Sequence, residues 1–119
     1  MRKLPYDLTV CKLSRLPECL AGFYVLAAVE NDISLVCESS LTPNDTLARE
    51  DGWRAFMVNA QMDFSLVGIL AKLSSCLADQ SIPLFAFSTY DTDYLLVKEH
   101  FFKKAEMAFQ KSGYTVLSD

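Results

Sequence analysis

Five apolar residues, Leu66, Ile69, Leu70, Leu73 and Leu77, recur at spacings of three and four, which places them on one face of a helix. Lys72 and Asp79 fall off that stripe, so this helix has one buried face and one wet face. Asp63 and Ser65 stand before it as possible caps, and Ser81-Ile82-Pro83 stops it, because proline cannot continue a helix. Such a helix has to lie against something, and the segments around it supply strands.

Trp53–Val58 follows the breaker Asp51-Gly52 and is rich in β-formers, so it reads as a strand. Ile82–Ser88 carries no charge and reads as a strand buried on both sides or nearly so. The polar turn Tyr90-Asp91-Thr92-Asp93 joins it to a strand over Tyr94–Val97. Phe101, Phe102, Ala105, Ala108 and Phe109 then trace a second helix, with Gly113 as its stop and Tyr114–Leu117 as a final strand. The order β-α-β-β-α-β over 53–118 is the ferredoxin-like split. The phenylalanines of the second helix read as core.

The first half reads as an incomplete copy. Asp7–Leu13, Phe23–Val29 and Ile33–Cys37 read as strands, with Leu16–Leu20 forming at most a turn or two of helix. The expected second helix is missing, and a loop over Glu38–Asp51 stands in its place. The expectation is an α+β chain of tandem units with antiparallel sheets. Residues 1–52 form the first, truncated unit and 53–119 the complete second one.

Composition excludes several functions. The 119 residues are 51% hydrophobic and 22% charged, the profile of a folded chain. The net charge is -4 with no basic run, so neither nucleic acid nor an anionic membrane is an expected partner. The longest apolar run, Cys19–Val29, is far short of the roughly 20 residues that span a bilayer; a buried strand explains it better. No secretory leader is visible. Cys11, Cys19, Cys37 and Cys76 have no paired spacing and the lone His100 is distant in sequence, so no metal site is expected. They read as reduced core thiols of a cytoplasmic protein. No phosphate-binding glycine loop is present and His100 opens a charged helix, so no catalytic residue and no cofactor is expected.

Gly52-Trp53-Arg54-Ala55, Asp63–Leu70 and above all Ser88-Thr89-Tyr90-Asp91-Thr92-Asp93-Tyr94 resemble the bacterial tandem ACT-domain proteins, similar to the CASTOR arginine-sensor family. The resemblance implies a regulatory module rather than an enzyme. It implies a small-molecule ligand, commonly an amino acid, at an interface between ACT units. It points to Phe64, Ser65, Leu66, Val67 and Gly68 as one wall, where a helix start attracts a carboxylate, and to Thr89, Tyr90 and Asp93 as the other. Asp93 would take the ammonium. The plainer readings are that Ser65 only caps, Gly68 only eases packing, and Asp91 and Asp93 only bond turn amides. Leu66 stands where the arginine sensors carry an acid, which weakens arginine as the ligand. A homodimer is expected because the first half is apolar with little helix to cover it. The competing function is a non-liganded oligomerisation or protein-interaction module.

Overall fold

The computed structural model describes residues 1–59 and 68–118. The chain divides into two compact units, Tyr6–Trp53 and Met1–Pro5 with Arg54–Asp119.

In Tyr6–Trp53 the strands are β2 (Leu8–Leu13), β3 (Tyr24–Val29), β4 (Asp32–Glu38) and the first part of β5 (Thr46–Asn59). They pair in the order β3-β4-β2-β5, and every pair is antiparallel. Alternation holds in the second half of β2, where Cys11 and Leu13 are buried and Lys12 faces water, whereas Leu8 and Thr9 are both buried. Cys11, Leu13, Leu35 and Cys37 make a small core on which Leu20, Leu26 and Ile33 pack. Thr9 is fully buried and its hydroxyl is satisfied, donating to Asp51 Oδ1 at 2.6 Å and lying 2.8 Å from Ser39 Oγ. Among the described residues this unit has no α-helix, only a single 3-10 turn at Ser39–Leu41. The turn of helix expected over Leu16–Leu20 does not form.

The loop expected over Glu38–Asp51 is shorter than the sequence implied. Thr46–Asp51 is strand, with Val10 opposite Glu50, Cys11 opposite Arg49 and Lys12 opposite Ala48. The register shifts between Leu8 and Val10 and between Lys12 and Leu13, so the ladder tolerates a charged, irregular segment. The apolar run ending at Val29 is not a buried strand either. Along β3 only Val25 and Leu26 are half-buried, and Tyr24, Ala27, Ala28 and Val29 are exposed. Its one neighbour is β4, so β3 is an edge strand.

The other unit contains β1 (Arg2–Lys3), the remainder of β5, α1 (Ile69–Asp79), β6 (Phe85–Ser88), β7 (Thr92–Lys98) and α2 (Glu99–Lys111). The order is β5-β7-β6, and β1 pairs with β5 through Arg2–Met57 and Lys3–Phe56. Leu73 and Leu77 of α1 and Ala105 and Phe109 of α2 bury against Phe56, Val58, Leu95 and Val97. Phe109 meets Phe56 edge to face with centroids 5.1 Å apart. The helical stripes therefore point as their spacing requires; Leu66 lies outside the described residues.

Both helices end in the same hydrogen-bonded motif. Ile82 N–H donates to Leu77 O and Ser81 N–H to Ala78 O; Tyr114 N–H donates to Phe109 O and Gly113 N–H to Gln110 O. The left-handed residue is Gly113 in one and Ser81, at φ 57°, in the other. Two expectations fail in this unit. The strand expected over Ile82–Ser88 begins only at Phe85 and is largely exposed, because it is the last in its sheet. Tyr114–Leu117 makes a single parallel bridge, Leu117 to Arg2, rather than a ladder.

Candidate functional site

The hairpin between β6 and β7 carries three of the expected site residues. The strands run Phe85–Leu96, Ala86–Leu95, Phe87–Tyr94 and Ser88–Asp93 in register. Thr89 N–H donates to Thr92 O at 2.8 Å, and its hydroxyl reaches the same oxygen at 3.3 Å, which closes the turn. Tyr90 sits at the tip with its side chain 100% exposed. A tyrosine wholly in water contributes little to folding. Beneath it Phe87 stacks on Tyr94, with centroids 4.9 Å apart.

Asp93 is half-buried, and Ser88 Oγ donates to its Oδ1. Among the described residues no cation pairs with it. Ser88 is not among the site residues expected from the sequence; the signal for it is its place directly across the hairpin from Asp93. Asp91 is exposed and has no such partner in the turn. Asp93 is thus a carboxylate with one oxygen held and the other left to accept.

Gly68 stands at the start of α1 with φ 74°, and its carbonyl accepts the first helical bond from Lys72 N–H at 2.9 Å. An added Cβ there would meet none of the described residues within 4 Å, and the positive φ by itself favours glycine. Phe64, Ser65, Leu66 and Val67 lie outside the described residues.

Of the thiols expected in the core, Cys11 and Cys37 are buried and Cys76 is half-buried, but Cys19 is exposed. Burial, then the neighbouring Cys37, pushes the Cys11 thiol up to about 11, although Arg49 opposes the shift. Cys76 donates to Ala108 O at 3.3 Å. His100 is exposed, its ring 4.2 Å from that of Phe101. Among the described residues no group of three His, Cys, Asp or Glu side chains could hold a metal ion. Among them, too, no helix is long and apolar enough to cross a membrane.

The ACT domain family model matches residues 48–111, a span that contains both helices and the hairpin. The chain belongs to the ACT domain family. A crystal structure of an Agobacterium tumefaciens protein is similar to this ACT domain, with a TM-score of 0.88 and 25% identity over 99% of this chain and 91% of that one. Aspartate kinase of Clostridium acetobutylicum, described as an allosteric enzyme, gives a TM-score of 0.67 at 11% identity; the match covers 94% of this chain but 34% of the kinase. A putative C-terminal regulatory domain of aspartate kinase from Porphyromonas gingivalis gives 0.57 at 15% identity, over 96% of this chain and 94% of that one. No curated protein matches the chain. The fold is therefore that of ACT domains, which are regulatory and often bind ligands.

Proposed function

We propose that this ACT domain is an amino-acid-binding regulatory protein without catalytic activity of its own, acting in the cytoplasm. The ligand's ammonium pairs with Asp93, flanked by Thr89 and Tyr90. Its carboxylate is assigned to Phe64, Ser65, Leu66, Val67 and Gly68, the last of which precedes α1, whose dipole favours an anion at its start. The observation that carries this reading is Asp93 itself, a half-buried carboxylate oriented by Ser88 and left without a cation among the described residues. Family membership and the likeness to an aspartate kinase regulatory domain support the regulatory role. Division into two ACT-like units, 1–52 and 53–119, belongs to the same reading.

A thermal-shift screen of the twenty amino acids tests it. A specific ligand at 100 times its Kd adds about 2.7 kcal/mol of apparent stability. A flat screen would favour the second reading, an ACT module that only assembles. That reading draws on β3, an exposed apolar edge strand whose free backbone groups suit a second copy. A homodimer through β3 is compatible with both readings.

A further inference from the structure

One cavity of about 350 Å³ gathers cations in a chain whose net charge is -4. Its wall includes Lys3 from β1, Arg54 from β5, Phe102, Lys103 and Glu106 from α2, and Ser118. These positions are fixed by backbone bonds: Lys3 N–H to Leu117 O at 2.8 Å and Leu4 N–H to Ala55 O at 3.0 Å.

Among the described residues the charges in the cavity do not balance. Glu106 is its one acid among these residues, and Lys3 takes it at 3.1 Å. Arg54 and Lys103 are left. The Arg54 guanidinium lies 4.3 Å from the centroid of the Phe102 ring, which strips water from one of its faces. Nη2 donates to Leu4 O at 3.1 Å, while Nε is buried without a hydrogen-bond partner. A guanidinium held flat, partly dehydrated and without a carboxylate among the described residues is an unneutralised plate of donors. The anion that suits it is one with two oxygens in a plane or more.

From this cavity we propose a second ligand site, specific for a small organic anion that presents a carboxylate or a phosphate. Arg54 grips the anionic group, Lys103 adds charge, Ser118 offers a hydroxyl, and the Phe102 ring walls the body of the ligand. The volume is at the small end of ligand pockets. The site shares no residue with the hairpin, so it stands whether or not an amino acid binds at Asp93.

The test is an amide and Arg Nε–H NMR titration at low ionic strength, with inorganic phosphate in one arm and succinate in the other. The expected result is a saturable shift confined to Lys3, Arg54, Lys103 and the Arg54 side chain in at least one arm; the tighter arm identifies the anion class. Lys103→Gln, at an exposed position, should weaken binding several-fold with an unchanged melting temperature. Arg54→Lys, which keeps charge but loses the fork, should weaken it about tenfold or more. Physiological salt should weaken it as well, since the Debye length falls to about 8 Å. Asp93→Ala should leave the titration unchanged. Shifts that never saturate, or that spread equally to Lys72 and Lys111, would mean ordinary counter-ion condensation and overturn the proposal. Affinity insensitive to both Lys103→Gln and Arg54→Lys would also overturn it.

Discussion

Gly22 offers the sharpest stability prediction, because an added methyl there meets a hydrogen-bonded carboxylate. Its φ is 66°, and a Cβ would collide with Glu38 Oε2 and lie 2.9 Å from Leu41 Cδ1. That Oε2 accepts from Phe23 N–H at 2.8 Å, and Glu38 N–H donates back to Phe23 O at 3.3 Å, where β3 begins. Gly22→Ala has two costs. The left-handed backbone costs an L-residue about 1–2 kcal/mol. Displacing Glu38 breaks a bond to a charged acceptor, worth roughly 1.5–3 kcal/mol and less here because Glu38 is only half-buried, so about 1–2 kcal/mol. The sum is about 2–4 kcal/mol, or roughly 8–15 °C in melting temperature for a chain of this length. Gly113→Ala is the control. Its φ is 97° with nothing within 4 Å, so it has only the backbone cost. Urea denaturation of Gly22→Ala, Gly113→Ala, Glu38→Ala and the Gly22/Glu38 double variant reads both terms. The excess cost of Gly22→Ala should vanish in the Glu38→Ala background. Equal costs for Gly22→Ala and Gly113→Ala would refute the reasoning.

Three further outcomes follow from the same structure. The raised thiol of Cys11 means that, with an ordinary value near 9.0 when unfolded and about 11 when folded, its contribution to stability is full below pH 9 and is lost as pH rises through 11; at pH 8 a thiol reagent should label exposed Cys19 fast and Cys11 only on unfolding, and equal rates would be inconsistent with this burial. Phe109→Ala removes a fully buried ring from the larger core and should cost about 3–5 kcal/mol in urea denaturation; a cost under about 1 kcal/mol would mean that α2 does not pack as described. Sedimentation at tens of micromolar should give twice the 13.4 kDa chain mass, and Ala28→Lys, an exposed charge on β3, should return a monomer; a monomeric wild type would count against assembly through β3.

The elements legible in the sequence are those whose pattern is set by one buried face. Leu73 and Leu77, and Ala105 and Phe109, repeat with the helical period because each pair has a single core to meet. β2 was legible for the same reason, its Lys12 alternating with Cys11 and Leu13. Thr46–Asp51 reads as loop because Arg49, Glu50 and Asp51 carry no apolar alternation; Asp51 answers instead to polar partners, Arg49 Nε lying 2.9 Å from its Oδ1 and the Thr9 hydroxyl donating to the same oxygen. Uncharged segments misled in the opposite sense. Tyr24–Val29 and Phe85–Ser88 lack charge, yet both are edge strands and stay largely exposed, since apolarity records what a surface prefers to touch rather than what covers it. In the candidate site the hairpin and Asp93 were legible through the Ser88–Tyr94 segment. The Ser88 bond was not, because it depends on strand register, which a turn sequence alone does not fix.

The central claim is that Asp93 serves a ligand's ammonium rather than the fold. Calorimetric titration of wild type, Asp93→Ala and Asp91→Ala with the amino acid that scores in the thermal screen tests it most directly. A charge-assisted bond is worth roughly 1.5–3 kcal/mol, so Asp93→Ala should weaken binding about tenfold or more. Asp93→Asn should fall between, and Asp91→Ala should bind as wild type does, with the melting temperature of each unliganded variant nearly unchanged. Equal affinity in wild type and Asp93→Ala would remove Asp93 from the site and contradict the account.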